Sequence, residues 1–329
     1  MQTDTRAVEW PTLIVFAATY GLWALATTAL WAVSPFLAIL AAALAIAQFS
    51  SLTHEVLHGH PFRSQTLSEA LVFPGLTVFV PYLRFKDLHL QHHFDPALTD
   101  PYDDPESNYL DPAVWVRLSV LAKAVLRFNN TLFGRMLIGP AISTWALAKG
   151  DLAAMRKGDA RVWLAWGLHL PGLALVWAWL EWVGTMPGWA YLLAAYLGWS
   201  LLKIRTYLEH RAHEAARART VIIESRGPLS LLFLNNNFHV VHHMHPAVPW
   251  YKLPALYFGN RDHYLRRNEG YRYRSYLDIF QQFLFRAKDP VPHPVWPVDK
   301  GGVLDQPAEL RGGAGVVEER NAGLVVARH

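Results

Sequence analysis

The pattern of apolar and polar positions divides the chain into two long apolar regions separated and followed by more polar segments. Lys and Arg are absent from Ala7 to Phe62, which is 56 residues, and from Val162 to Leu202, which is 41 residues. Each region is close to two apolar stretches of ~20 residues joined by a turn, the length that crosses ~30 Å of hydrocarbon twice. The pattern therefore predicts two hairpins of membrane-spanning helices.

Turn residues inside each region set the expected helix boundaries. The first turn is at Ser34-Pro35 and the second is at 184–188, and Pro171 is expected to kink the third helix. The four predicted helices are Thr12–Val33, Phe36–Ser51, Val162–Val183 and Trp189–Leu202. Because neither turn carries Lys or Arg, the positive-inside rule places both termini and the central loop in the cytoplasm. We therefore expect a multi-pass protein of the inner (cytoplasmic) membrane.

Composition also favours a membrane protein. Hydrophobic residues make up 52% of the 329 residues and charged residues only 17%, against roughly a quarter charged in soluble domains. A soluble protein with buried helices is the competing interpretation, and the length of the apolar regions argues against it. A cleaved signal peptide is not expected, since the start sets Asp4 and Glu9 against a lone Arg6. The basic residues lie in membrane-adjacent segments and match no nucleic-acid-binding motif.

Two other segments carry predictions about domain organisation. The stretch from Val114 to Ile142 has basic residues among apolar ones, which predicts a helix lying in the headgroup region, with a fifth span as the alternative. The last residues are Gly- and Glu-containing with little periodicity. We expect one membrane-bound domain over 1–290 and a flexible C-terminal tail over 291–329.

Histidines form three boxes of helical spacing. They read His54-Glu55-Val56-Leu57-His58, His89-Leu90-Gln91-His92-His93 and His239-Val240-Val241-His242-His243. Residues at i, i+3 and i+4 share one helix face, so each box directs two or three imidazoles to one side. The chain has no Cys, so any metal must be held by His or carboxylate. All three boxes lie on the predicted cytoplasmic side.

The number of imidazoles in the boxes indicates two metal ions. Eight imidazoles exceed the four positions of a zinc ion and the six of an octahedral ion. Imidazole suits Fe, Zn, Cu and Ni. Shared between two ions, these ligands leave positions open for O2, which favours iron with a redox role over structural zinc.

The boxes and their surroundings resemble the membrane-bound fatty acid desaturases, a histidine-box non-haem di-iron group that also includes lipid hydroxylases and carotenoid-modifying oxygenases. The resemblance runs from about Thr12 to Pro254 and is closest at HLQHHFDPALTDPYDDPE (His89 to Glu106) and NNNFHVVHHMHPAVPWYKLP (Asn235 to Pro254). It implies an all-α integral membrane protein with four transmembrane helices in two hairpins and a cytoplasmic helical cap carrying the boxes. It also implies one more ligand between the last span and the third box. The implied metal ligands are His54, His58, His89, His92, His93, His210, His239, His242 and His243.

The same resemblance implies O2-dependent oxidation of C–H bonds in a membrane lipid. Fatty acyl desaturation is the first expectation, and hydroxylation of an acyl chain or of an aminolipid head group such as that of ornithine lipid is the second. Two iron ions and O2 are the implied cofactor and co-substrate. Because the chain has no Cys for a thiolate-ligated carrier, electrons are expected from a separate, ferredoxin-like protein.

Two rival functions follow from the sequence. His54-Glu55-x-x-His58 matches the H-E-x-x-H pattern of zinc metalloproteases, with Glu55 as general base, but it leaves the other two boxes without a role. A binding or structural membrane protein is the other rival, and it predicts no bound iron.

Other polar residues near the boxes receive weaker expectations. The acidic loop of Asp100, Asp103, Asp104 and Glu106 is expected to be solvated, with contact to a polar substrate or an electron donor as the alternative. Glu209 is expected to pair with Arg205 or to support a ligand. Asn235, Asn236 and Asn237 either orient a ligand ring or cap a helix. No metal is assigned to the remaining histidines, which are His60, His169, His213, His245, His263, His293 and His329.

Overall fold

The computed structural model describes residues 8–296, and this part of the chain is mostly helical. The helices in chain order are α1 (Trp10–Thr27), α2 (Ala29–Val33), α3 (Pro35–Leu57), α4 (Gln65–Ala70), α5 (Tyr82–His92), α6 (Pro112–Arg117), α7 (Val120–Asn129), α8 (Leu132–Arg156), α9 (Ala160–Trp182), α10 (Gly188–Thr206), α11 (Pro228–Leu232), α12 (His239–Met244), α13 (Leu253–Gly259), α14 (Arg261–Arg267) and α15 (Tyr276–Phe283). The strands β1 (Ile222–Ile223) and β2 (Arg272–Tyr273) pair in parallel. Short 3₁₀ turns lie at Asp95–Ala97, Ala216–Ala218 and Trp250–Lys252.

Three helical segments within the described residues are long and apolar enough to span a bilayer. They are Trp10–Val33, which contains α1 and α2, Pro35–Leu57, which is α3, and Ala160–Trp182, which is α9. The predicted break at Ser34-Pro35 is present. The Ser34 hydroxyl accepts a hydrogen bond from the N–H of Leu37, and Pro35 suits the first helical position. Helix α9 continues through Pro171.

The fourth predicted span coincides with helix α10, which is less apolar than the other three. Lys203 and Arg205 lie in its last turn. The count of four spans therefore stays a prediction. The stretch predicted as one headgroup helix is instead divided among α6, α7 and α8. Ser119 and Thr131 interrupt it because their hydroxyls accept hydrogen bonds from the first turns of α7 and α8.

Helix α3 forms the centre of the bundle, between α1 and α10. Its small residues Ala38, Ala42 and Ala45 are fully buried. Small side chains let helix backbones approach each other closely within a membrane. A Cβ at Gly198 of α10 would lie 3.0 Å from the carbonyl oxygen of Ala43, so the two helices are in contact there.

A non-helical loop, 71–81, lies among the spans and is held by their side chains. Four donors bond its carbonyl groups at distances of 2.6 to 3.0 Å, namely Tyr20 to Leu71, Tyr191 to Leu76, Trp199 to Thr77 and His169 to Val78. Buried carbonyl groups without partners are costly, so these four donors stabilise the loop. His169 thus has a structural partner within the bundle.

The C-terminal part of the described chain packs against the loop that follows the second box. The N–H of Leu110 donates to the carbonyl of Val291 (2.9 Å), and the N–H of His293 donates to the carbonyl of Leu110 (2.8 Å). These contacts belong to the first residues of the predicted tail. The rest of that tail, 297–329, lies outside the described residues, and the predicted division after residue 290 stays a prediction.

Candidate metal centre

The first box lies at the end of α3. This helix extends to Leu57, past the end predicted at Ser51, so His54 is in its last turn and His58 is its C-terminal cap. The spacing of four residues brings the two imidazoles together, with ring centroids 4.9 Å apart.

The second box lies at the end of α5, and its three imidazoles face in two directions. His89 and His93 approach each other, with Nε2 atoms 3.0 Å apart. The Nε2 atom of His92 instead lies 2.9 Å from Nε2 of His210. One box therefore contributes to two neighbouring groups of histidines.

The third box forms α12 and also divides its side chains. Leu234 and Asn235 have φ angles of +49° and +55°, which gives the tight turn before the helix. The Asn237 amide donates to the carbonyl of Ile223 (2.6 Å) and fixes this turn to β1. Nε2 of His242 lies 3.2 Å from that of His93, whereas Nε2 of His239 lies 3.1 Å from that of His210.

His210 follows α10 and completes the arrangement, at the position implied by the family resemblance. It forms an isolated antiparallel β-bridge with Thr220. The Lys288 ammonium donates to its backbone carbonyl. These backbone contacts leave the imidazole directed at His92 and His239.

The nine predicted histidines form two groups in which the candidate ligand atoms lie within 4.8 Å of one another. The five-histidine group contains His54, His58, His89, His93 and His242. The four-histidine group contains His92, His210, His239 and His243. The rings of His93 and His243 stack with centroids 4.3 Å apart, so the two groups are adjacent.

The donor set fits a pair of metal ions. The Nε2 atoms of His54, His58 and His243 are buried without a hydrogen-bond partner in the described part of the chain. Buried polar atoms normally have partners, and imidazole nitrogens converging without donors between them meet that requirement when they bind metal. Five nitrogens around one ion and four around another leave open positions on octahedral ions.

The electrostatic environment keeps most of these imidazoles neutral. Burial lowers the pKa of His58 to about 2, and the neighbouring His89 adds to this effect. Burial also lowers the pKa of His243 to about 4, although Asp95 opposes it. The pKa is likewise lowered for His89, His93, His210, His239 and His242. Neutral rings offer the lone pairs that a metal ion needs.

His92 is the exception within the four-histidine group. Burial alone would lower the pKa of His92, but Glu106 and Asp104 beside it raise that pKa to about 9. Both carboxylates follow the second box in the acidic loop. A metal ion held by His92 would therefore compete with a proton for Nε2, whereas Nδ1 is bonded to Asp104.

Carboxylate and amide groups hold the outer nitrogen of four of the nine imidazoles. The Nδ1 atoms are bonded in four pairs, His92 to Asp104 (2.8 Å), His89 to Glu106 (2.8 Å), His239 to Asn236 (2.9 Å) and His243 to Asp95 (3.2 Å). Such partners fix the tautomer and ring orientation of a metal-ligating histidine and direct Nε2 to the metal. Asn236 therefore holds the His239 ring in place, and its role in orienting a metal ligand stays a prediction.

The expectation of a solvated acidic loop is wrong for two of its four members, Asp104 and Glu106. Asp104 is 5% exposed, and its carboxylate also accepts the N–H groups of Thr99 (2.8 Å) and Glu106 (2.9 Å). Asp100 stays local and accepts backbone N–H groups of its own turn. The sequence signal that could have identified these two residues is the Asp-x-Glu spacing in the loop that folds back on the second box.

The other polar residues near the boxes lie outside the two histidine groups. Glu209 pairs with Arg205 at 3.0 Å, as the i, i+4 spacing predicted. Glu55 accepts the backbone N–H of Trp250 (3.1 Å) and belongs to neither histidine group, so it joins the second span to the loop after the third box. None of the six other histidines in the described residues belongs to either group, and these are His60, His169, His213, His245, His263 and His293.

Two comparisons with known proteins agree with this geometry. The fatty acid desaturase family matches residues 29–276, a range that contains all nine histidines of both groups. A beta-carotene ketolase from Paracoccus sp. (strain N81106 / MBIC 01143) is 28% identical over 235 residues, which cover 64% of this chain and 78% of the relative. With three histidine boxes, apolar helices and a family match over most of its length, the chain belongs to the fatty acid desaturase family and is an oxidoreductase.

Proposed function

We propose that this protein uses two iron ions and O2 to oxidise C–H bonds of a membrane lipid, with desaturation of a fatty acyl chain as its main reaction. The observation that carries the proposal is the pair of histidine groups beside a cavity of about 1320 Å³, which is lined by chain neighbours of these histidines and not by the nine histidines themselves. Thr53 and Leu88, which line the cavity, directly precede His54 and His89. The family membership supports this class of oxidation.

The two histidine groups are the proposed ligands of the two irons. When bound, such ions supply the activation of O2 and the removal of hydrogen from an unactivated C–H bond, which acid and base side chains do not provide. Other residues of the chain position the proposed ligand rings. Asp104 and Glu106 hold His92 and His89 with Nε2 facing inward, and the buried surroundings exclude water from the site.

The cavity suits a long apolar substrate. Its volume exceeds the ~300–1,000 Å³ usual for drug-sized ligands. Side chains from α3, α5, α8, α9 and α10 and from loop 71–81 line it. A saturated –CH2–CH2– unit placed beside the histidine groups would give –CH=CH– and two waters from O2, two electrons and two protons. Placement of the substrate decides between this outcome and insertion of oxygen.

Two alternatives keep the same centre and change the substrate or product. The first is hydroxylation of a lipid acyl chain or of an aminolipid head group, in which one oxygen atom of O2 enters the C–H bond and the other leaves as water after uptake of two electrons and two protons from the donor and solvent. The second is oxidation of a carotenoid ring, which the similarity to a beta-carotene ketolase favours.

We also propose the membrane arrangement that the sequence predicted. Helix α10 is the fourth span, the helices form two hairpins, and a helical cap carries the boxes on the cytoplasmic side of the inner membrane. The clustering of Lys203, Arg205 and the boxes at one end of the bundle supports this sidedness. We propose that a separate acidic, ferredoxin-like donor docks on the cytoplasmic face.

Mass spectrometry of lipids and carotenoids from a host expressing the protein tests the proposed function. Acyl chains lighter by two hydrogens are expected, whereas a gain of one oxygen indicates hydroxylation. Carotenoids that gain one oxygen and lose two hydrogens indicate ketolation. His93→Ala should abolish the product, and His263→Ala, at an exposed histidine outside both groups, should retain it. Product formation by both variants would contradict the proposal.

A further inference from the structure

The cavity of about 1320 Å³ has a polar part as well as an apolar part. Phe49, Val72, Leu147 and Leu168 are among its apolar lining residues. Four cationic side chains also line it, and these are Arg84, Arg135, Lys203 and Arg205. Buried cations are costly, and they usually pair with carboxylates or serve a function.

Two of the four cations have carboxylate partners. Arg84 lies 2.8 Å from Asp151, and Arg205 lies 3.0 Å from Glu209. These two ion pairs account for the charges of the side chains involved. They leave Arg135 and Lys203 as the cations to be explained.

Lys203 has no hydrogen bond or ion pair with any residue in the range 8–296. Its ammonium lies 6.0 Å from the centre of the Trp199 ring, which is a weak contact for a charged group. It projects from the last turn of α10 and lines the cavity. Three N–H donors of one ammonium are therefore available to a ligand in the cavity.

Arg135 is 5% exposed and is bonded only to neutral groups. Its guanidinium donates to the carbonyl of Asn129 (2.8 Å) and to the side-chain oxygen of Asn108, and it lies 5.9 Å from the Tyr207 ring centre. No carboxylate of the described chain lies within ion-pair distance. The two hydrogen bonds orient the guanidinium, and no negative charge compensates its positive charge.

The two cations lie at the end of the cavity nearest the candidate metal centre, because Lys203 is one turn before Thr206 on α10 and Thr206 lines both the cavity and the small pocket beside His210. Arg135 also lines a small polar pocket of about 40 Å³, and His210 and Glu209 line the same pocket. Glu106 is the carboxylate that lines both spaces, but His89 holds it at 2.8 Å. A substrate group bound here is therefore next to the histidine groups.

We propose that Arg135 and Lys203 form a subsite for the anionic oxygen group of a lipid substrate, either the carboxylate of a fatty acid or the phosphate of a phospholipid. The apolar remainder of the cavity then holds the hydrocarbon chain. This inference rests on the proposed function and narrows its substrate class to anionic lipids. A carotene has no such group, so the subsite favours the acyl substrate over the carotenoid alternative.

Equilibrium binding to purified, iron-loaded protein in a neutral detergent tests the subsite without turnover. Radiolabelled palmitate is compared with hexadecanol, and phosphatidic acid is compared with diacylglycerol, so each pair differs in charge. Wild type should bind at least one anionic lipid about tenfold more tightly than its neutral match, as expected for charge-assisted hydrogen bonds. A preference for palmitate identifies a free fatty acid, and a preference restricted to phosphatidic acid identifies a phospholipid.

Lys203→Met should weaken the binding of the anionic lipid about tenfold and leave the binding of the neutral lipid unchanged. Lys203→Arg should retain the preference for the anionic lipid. Lys149→Met is the matched control, because Lys149 is an exposed cation of α8 outside the cavity lining. Equal binding of charged and neutral lipids by wild type, or equal weakening of both by Lys203→Met, would overturn the subsite. Iron content is measured on the same samples. Iron-loaded wild type without a charge preference contradicts only the subsite, and absence of iron contradicts only the proposed function.

Discussion

Replacing Asp104 with Asn isolates the contribution of a carboxylate that touches no metal position itself. The Asp104 carboxylate accepts three hydrogen bonds, from Nδ1–H of His92 and from the backbone N–H groups of Thr99 and Glu106. One oxygen faces His92 and Glu106, and the other faces Thr99. Asparagine has nearly the same shape but carries no charge and only one acceptor oxygen.

The structure gives the size of the effect. With its oxygen toward His92, the amide introduced by Asp104→Asn keeps two of the three bonds and sets its NH2 group against the N–H of Thr99. Loss of one charge-assisted bond at a site that is 5% exposed costs about 2 kcal/mol of unfolding free energy. Loss of the charge also leaves the His92 ring less firmly oriented, which corresponds to a roughly 10- to 100-fold loss of metal affinity.

Iron titration monitored by metal analysis after desalting, together with product formation, measures this loss. Asp103→Asn is the matched control, because Asp103 is the adjacent residue but is exposed. Asp104→Asn should retain far less iron than wild type, and Asp103→Asn should retain the wild-type amount. Equal iron retention by the two variants would refute the orienting role of Asp104.

Three further perturbations test the packing, the electrostatics and the metal. Gly172→Ala should lower the free energy of unfolding by roughly 1–3 kcal/mol, because the added Cβ would lie 2.3 Å from the carbonyl oxygen of Phe73. Gly167→Ala on the same helix is the control, since its added Cβ meets open space and should not destabilise the protein. Burial opposes ionisation of Glu224, but hydrogen bonds from two arginines and a tyrosine lower its pKa to about 2. Its stabilisation is therefore complete above its ordinary pKa and is lost as the pH falls toward 2, so the difference in melting temperature between wild type and Glu224→Gln should shrink from about pH 5 to about pH 3. Chelation of the metal should lower the melting temperature, and ferrous iron should restore it; an unchanged melting temperature would show that the histidine groups hold no stabilising ion.

Features with local periodicity could be predicted from the sequence. The apolar runs located α1, α3 and α9, and the i, i+3 and i+4 spacing identified the three boxes. The end of α3 was placed too early, because Ser51 and Thr53 look like a polar boundary. Their hydroxyls bond the carbonyls of Leu232 and Phe49, at 2.8 Å in each case, so the helix continues without unsatisfied polar groups.

Features that depend on distant contacts could not be predicted in the same way. Loop 71–81 has no periodicity, and its conformation depends on donors from α1, α9 and α10. The roles of Asp104 and Glu106 emerge only when the loop after α5 folds back onto its last turn. The nearly equal division of the histidines into groups of five and four also requires the third box to supply ligands in both directions.

Metal analysis of the protein purified from an iron-supplemented host tests the central claim most directly. Two iron ions per chain are predicted, with loss of both the iron and the product in His93→Ala, since His93 lies at the contact between the two groups. One zinc ion per chain, or no stoichiometric metal in a folded and active protein, would contradict the di-iron assignment.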